Sequence, residues 1–308
     1  SLQTVPLKIL KFVYFIKDTF GILYTHKASF SRGDFVKKIA VINDLSGFGR
    51  CSLSAALPVI SALGIEACPL PTAILSNQTG YSSYFCTDFT ENMPSYIDEW
   101  KKMNVKFDGI LTGYLASEKQ VDIILDFIEN FGENSLIFVD PVMADDGIVY
   151  DTYTPKLCER VKKLTEKANI ITPNLTELCI LCGENYEEIS RENDIQKISK
   201  IATSLLTDTL KTVIVTGIRK GGEIHNVTVQ KDGIYIAKSK IFGGSYSGTG
   251  DLFSSIVCAE TVKGKDISQA VTLATEFLQK SIEDSYKENT DRNDGVNFQR
   301  KLEMLINA

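Results

Sequence analysis

Histidine is almost missing from this chain. Of 308 residues only His26 and His225 are histidine, which leaves almost no room for a His-rich metal site or a two-histidine mechanism. Positive charge is also in deficit. Thirty-three Lys and Arg face 39 Asp and Glu, a net charge of −6. Such a chain is a poor general partner for nucleic acid or anionic lipid, because nothing repays the approach to phosphate. A local anion site built from backbone N–H groups is still allowed. The 21 glycines and 8 prolines are too few and too scattered for a collagen-like or low-complexity chain. No long apolar run appears either. Residues 9–24 are apolar and aromatic, but Lys11, Lys17 and Asp18 interrupt them, short of the roughly 20 apolar residues that cross a bilayer. They also lack the small-residue cleavage pattern of a signal peptide. The seven cysteines are odd in number and widely spread, which suggests reduced thiols in a cytoplasmic protein rather than a disulfide framework.

Apolar residues at 44% and charged residues at 23% are ordinary globular values. Residues 1–36 differ from the rest and read as an N-terminal extension outside the core, leaving 37–308 as a single domain. Short apolar runs rich in β-branched residues at 38–43, 66–75, 109–112, 136–140, 169–172 and 212–216 read as strands. Helical patterns at 51–63, 96–103, 117–131, 155–167, 175–181 and 194–206 alternate with them. A hairpin turn at 231–233 and helices at 251–262, 267–285 and 298–306 complete the chain. This alternation predicts an α/β fold: a mostly parallel central sheet with helices on both faces. Ligands in such sheets bind outside the carboxyl ends of the strands. That draws attention to Asp44, Ser76, Asn77, Gly113, Tyr114, Asp140, Asn174 and Gly217.

The most informative stretch is Gly243-Gly244-Ser245-Tyr246-Ser247-Gly248-Thr249-Gly250-Asp251, followed by an apolar helix. Glycines permit close backbone approach, and the free N–H groups of a helix start favour anions. Asp251 within that turn would repel phosphate unless it has a task such as accepting a proton from an attacking hydroxyl. The alternative is that it merely favours the helix dipole. Asn174 and Glu177 share one face of a helix start. They suit Mg²⁺ and its waters held together with substrate phosphates, or equally a capping box. Asp140, Asp145 and Asp146 are either groups around such a metal or solvated carboxylates. No P-loop and no G-x-S-x-G elbow is present, and Gly47-Phe48-Gly49 only half-matches a dinucleotide fingerprint. Cys179 and Cys182 have C-x-x-C spacing, but no second pair completes a zinc site.

Together these segments resemble the ribokinase-like superfamily and, within it, the pyridoxal kinase family. Ser76-Asn77-Gln78-Thr79-Gly80-Tyr81 is similar to that family's S-N-x-T-x-Y substrate loop. Thr112-Gly113-Tyr114 resembles its [TS]-G-Y strand end, and Asp140-Pro141-Val142-Met143 its D-P-V-[ML] segment. Thr172-Pro173-Asn174 with Glu177 resembles T-P-N-x-x-E, and Gly248-Thr249-Gly250-Asp251 the superfamily's G-T-G-D. The resemblance implies a three-layer sandwich and ATP-dependent phosphorylation of the 5′-hydroxymethyl group of a B6 vitamer, in vitamin B6 salvage. Asp251 would be the base, with Gly248, Thr249 and Gly250 around the transferring phosphoryl group. Asn174, Thr216, Gly217, Thr249 and Gly250 would meet ATP. Asp140, Asp145, Asn174 and Glu177 would meet Mg²⁺, partly through water. Asp44, Ser76, Asn77, Thr79 and Tyr114 would line the vitamer pocket. A homodimer and a monovalent cation, K⁺, are further implications. Two positions depart from the family: Asp44 stands where Ser is usual, and Gln78 where His is usual. Hydroxymethylpyrimidine kinases share the fold but typically carry Cys where Asp251 stands. A catalytically silent small-molecule sensor is the alternative from another class.

Overall fold

The computed structural model describes residues 36–308, so the extension expected over 1–36 lies, Val36 excepted, outside the described residues. In chain order the elements are β1 (Lys38–Ser46), α1 (Ser52–Ala62), β2 (Glu66–Leu75), β3 (Cys86–Asp88), α2 (Met93–Lys102), β4 (Gly109–Thr112), α3 (Glu118–Phe131), β5 (Leu136–Val139), β6 (Ala144–Asp145) and β7 (Ile148–Val149). There follow α4 (Pro155–Thr165), β8 (Ile170–Ile171), α5 (Leu175–Cys182), α6 (Tyr186–Glu192), α7 (Ile195–Thr203), β9 (Thr212–Lys220), β10 (Glu223–Gln230) and β11 (Gly233–Lys240). The chain ends with α8 (Thr249–Val262), α9 (Ile267–Lys287), two short 3₁₀ turns (Arg292–Asp294 and Gln299–Lys301) and α10 (Leu302–Ile306).

Nine strands form one sheet in the order β11-β10-β9-β8-β5-β4-β1-β2-β3. The six from β9 to β2 run parallel; β10, β11 and β3 are antiparallel additions at the two edges. A β-α-β chain that buries both sheet faces must have strands apolar throughout, and Ile39 to Ile42 of β1 are all buried. Two cores result, one on each face. One joins α2 to α7, with Trp100, Phe107, Phe127 and Phe131 in edge-on or tilted contact. The other joins α1, α8, α9 and α10. The α/β sandwich expected from the sequence is therefore the observed architecture.

Local signals explain most boundaries. Ser117 Oγ accepts the Gln120 N–H and starts α3, and Gly132 ends it. Gln230 pairs with Gly233 across the Lys231-Asp232 turn. Two site positions need correction. Asp44 does not follow β1 but lies inside it. A register shift between Asn43 and Leu45 lets the strand continue to Ser46 and buries the carboxylate. Gly217 likewise lies within β9, at an irregularity where Thr216 and Gly217 oppose Asn226 alone. Its φ of +73° suits glycine, and its N–H is taken by the Asn226 side chain at 3.1 Å.

Candidate active site

Strand β1 has β2 on one side and β4 on the other. Chain connections therefore leave it in opposite directions and open a crevice beyond the carboxyl ends of β1 and β4. Asn43 and Asp44 stand on one lip and Gly113 and Tyr114 on the other. The start of α8 points at the same place.

That helix start differs from most in this fold: α1, α2 and α10 also lack a side-chain cap, but only α8 among the described helices begins on a glycine. Helices α3, α4, α5, α6, α7 and α9 each begin on a side chain that accepts a first-turn N–H: Ser117, Thr154, Asn174, Asn185, Asp194 and Asp266. Helix α8 begins on Gly248, which has no side chain to do so. Its φ is +78°, and an added Cβ would run into the Arg50 carbonyl oxygen. Only glycine fits, and no side chain at the cap position takes an N–H of the first turn.

Asp251 occupies that turn. Its Oδ1 accepts the Asn43 Nδ2–H at 2.8 Å and its Oδ2 accepts the Ser52 N–H at 2.8 Å. Burial pushes its pKa up to about 6, the two hydrogen bonds oppose the rise, and the Asp44 charge adds to it. Asp140 and Glu177 are also buried carboxyls. Desolvation raises both, and each has a second carboxylate near: Asp251 for Asp140, and Asp140 for Glu177. Burial and neighbouring carboxylates are what chiefly raise these three groups. A hard divalent ion would relieve that repulsion, so the donor set fits Mg²⁺. Among the described residues, no group of three or more His, Cys, Asp or Glu could hold a metal alone. An ion there would need water and phosphate oxygens as well, the usual habit of Mg²⁺.

Asn174 and Glu177 form the capping box that the sequence allowed. Asn174 Oδ1 accepts the Glu177 N–H at 2.9 Å, and Glu177 Oε2 accepts the Asn174 N–H at 2.9 Å. Glu177 Oε1 takes a second backbone donor, the Met143 N–H at 3.0 Å. Glu177→Gln can satisfy only one of these donors, so a stability loss of about 1–3 kcal/mol is expected. If Glu177 also faces the metal's water shell, the Mg²⁺ concentration for half-maximal rate rises. Melting temperature and a Mg²⁺ titration on the same variant separate the two roles, and an unchanged titration leaves Glu177 as a cap alone.

Asn174 is joined to Thr216 by a parallel bridge. Both line an open cleft of about 490 Å³ with Asp145, Asp146, Gly217 and Arg219. Tertiary structure thus brings together the sequence candidates Asp145, Asn174, Thr216 and Gly217. It adds two residues that sequence reasoning missed. Arg219 supplies positive charge near Asp145. Buried Asn226 holds Gly217 and donates to Thr275 Oγ1 at 3.0 Å.

On the β1–β2 side of the crevice, Asp44 accepts the Ser46 Oγ–H at 3.0 Å, and burial raises its pKa above the ordinary carboxylate range. Tyr114 is half-buried and packs edge-on against Tyr153. Ser76 Oγ accepts the Phe85 N–H at 2.9 Å, and Asn77 Nδ2 donates to the Ser83 carbonyl at 2.9 Å. These two shape their loop, whereas Thr79 is exposed. Gln78 is buried and accepts the Gly80 N–H at 2.7 Å.

Segment 291–297 clasps three loops, and nothing in the sequence pointed to it. Asn293 Nδ2 donates to the Gly80 carbonyl at 2.9 Å, and Tyr81 OH donates to Asp294. Ser247 N–H donates to the Arg292 carbonyl at 3.1 Å, and Arg50 Nε to the Val296 carbonyl at 2.7 Å. The segment thereby ties the 76–81 loop, the glycine-rich loop and the β1–α1 turn.

A family model described as phosphomethylpyrimidine kinase matches residues 49–296. The chain belongs to this family, among the pyridoxal kinases of the ribokinase-like superfamily. It is 26% identical to the pyridoxine/pyridoxal/pyridoxamine kinase of Bordetella avium, over 76% of this chain and 81% of that protein. Among solved structures, it is 35% identical to a protein of Bacteroides thetaiotaomicron provisionally designated a phosphomethylpyrimidine kinase and crystallised with pyridoxal. The TM-score is 0.82, covering 88% of this chain and 96% of that one. The pyridoxal kinase of Lactobacillus plantarum gives a TM-score of 0.82 at 25% identity, covering 89% and 98%.

Proposed function

We propose that this pyridoxal kinase relative transfers the terminal phosphoryl group of ATP to the 5′-hydroxymethyl oxygen of pyridoxal, pyridoxine or pyridoxamine. The observation that carries the reading is the uncapped start of α8 with a buried carboxylate inside it, at the sheet's switch point. Asp251 accepts the hydroxyl proton as the new O–P bond forms. The bond from the terminal phosphorus to the bridging oxygen breaks, and ADP leaves. The N–H groups around Gly248, Thr249 and Gly250 stabilise charge on the three equatorial oxygens, the term that dominates phosphoryl transfer. Asn174, Thr216 and Gly217 border the nucleotide. Asp140, Asp145, Asn174 and Glu177 would hold Mg²⁺, partly through water, and the ion would neutralise phosphate charge. Ser76, Asn77, Thr79 and Tyr114 border the vitamer.

A homodimer, a K⁺ requirement and a place in cytoplasmic B6 salvage belong to the same proposal. The seven free cysteines are in keeping with the last. Among the described residues, no helix is long and apolar enough to cross a membrane. The test is turnover with ATP against the three vitamers and hydroxymethylpyrimidine. Phosphorylation of the pyrimidine alone would favour the other kinase, and no turnover at all would favour the sensor.

Asp44 gives a specificity prediction. Its charge acts on Tyr114 and Cys86, so its carboxylate lies on the vitamer side. Pyridoxamine carries an ammonium group that pyridoxal lacks. A pair about 4 Å apart gains at least about 1 kcal/mol before desolvation, roughly fivefold in kcat/KM. Asp44→Ser is expected to lower the pyridoxamine-to-pyridoxal ratio of kcat/KM by about that factor. An unchanged ratio with all substrates weakened would mean that Asp44 serves only Ser46 or a ring atom common to all vitamers.

A further inference from the structure

Asn43 is buried, and its side chain makes three hydrogen bonds in two directions. Oδ1 accepts the N–H of Asp44 and the N–H of Tyr114, both at 2.9 Å. Nδ2 donates to Asp251 Oδ1 at 2.8 Å. The amide cannot be reversed, because that would set its NH₂ against two backbone N–H donors. Gly113 is the complement of this arrangement: a Cβ there would overlap the Asn43 amide nitrogen. The glycine of the Thr112-Gly113-Tyr114 segment is therefore explained by room for Asn43.

We infer that Asn43 is a positioning residue that holds the carboxylate of Asp251 and the Asp44–Tyr114 wall of the vitamer pocket in one rigid frame. Its C=O half sets the wall and its NH₂ half sets the carboxylate. The inference rests on Asp251 being the base. That carboxylate is then held by this planar amide on one oxygen and by the Ser52 N–H on the other, and small misplacements of reacting groups are costly in rate.

The two halves can be separated. Asn43→Asp keeps an oxygen acceptor for both backbone donors but puts a second carboxyl where the donor to Asp251 stood, so it both releases Asp251 and raises its pKa. It is expected to lower kcat at least tenfold while KM for pyridoxal and for ATP stays within threefold. Asn43→Ala removes both halves, so kcat falls and KM for pyridoxal rises as well. In an Asp251→Asn background, Asn43→Asp should change kcat by less than threefold, because the group it positions is gone. A purely structural role predicts losses that multiply. Should Asn43→Asp fail to fold, Gly113→Ala pushes the amide off Asp251 and is expected to show the same kcat loss and the same non-additivity. A kcat within threefold of wild type in the folded variant, or multiplied losses in the double variant, overturns the inference. Near wild-type turnover of Asp251→Asn alone would instead overturn the assignment of the base, so the two failures are distinguishable.

Discussion

Asp251→Asn is expected to lower kcat by about 10²–10⁴-fold while nucleotide affinity changes little. Asparagine is nearly isosteric and retains one oxygen, so it can still accept from Asn43 or from the Ser52 N–H. It cannot take the proton of an attacking hydroxyl. The wild-type pH profile should carry the same signature. Burial holds this carboxyl at about 6, so its acceptor form is lost as pH falls through that value. The rate should fall on the acid side near pH 6, and that limb should vanish in the variant's residual activity. Turnover assays across pH 5–8, with nucleotide binding measured separately, check both statements. Near wild-type activity would mean that Asp251 only complements the helix dipole.

Gly248→Ala is the second large effect. The residue needs φ of +78°, and the Cβ would meet the Arg50 carbonyl oxygen. An L-residue in the left-handed region loses roughly 1–2 kcal/mol. The overlap cannot be relieved by a rotamer change, because it is with backbone. Arg50 is itself fixed on both sides: its N–H donates to the Asp294 carbonyl at 3.0 Å and its side chain to the Gly295 and Val296 carbonyls. The start of α8 must therefore shift away from its substrates. Removing one donor aimed at transition-state charge typically lowers rate by about 10²–10³-fold, and a similar loss of kcat is expected. Melting temperature should fall in parallel; Asp251→Asn, whose NH₂ faces one of the two donors Asn43 and Ser52, should also lose about 1–3 kcal/mol of stability. An active, stable Gly248→Ala protein would show that the turn is more compliant than its contacts indicate.

The strands of the parallel sheet were legible because burial on both faces demands continuous apolar runs, and helices such as those after Ser117 and Asn174 because these caps have short-range partners. Boundaries set by long-range pairing were less legible. The run at 38–43 ends where apolar residues end, yet β1 continues to Ser46 because β2 offers partners as far as Leu75. The short strand Cys86–Asp88 has no apolar period at all; all three residues are exposed, and it exists only as an edge against β2.

For the site, the residue types carrying chemistry stood out by composition and spacing: an aspartate within a glycine-rich helix start, an Asn and Glu three apart, and polar residues where apolar runs stop. Sequence alone determined that this is an α/β chain with a glycine-rich helix start that carries an aspartate, and with carboxylates at strand ends, since propensity, periodicity and turn chemistry act over a few residues. Tertiary structure decided which of them meet. Asn43 reaches Asp251 across 208 positions, and Gln78 reaches Asn293 across 215. Asn226 supports a glycine on the neighbouring strand and a threonine on α9. These are hydrogen bonds of buried amides, whose partners are chosen by strand order and by two bulges, one beside Asn43 and one at Asn226. A one-residue change of register would point Asn43 and Asn226 at the opposite face of the sheet.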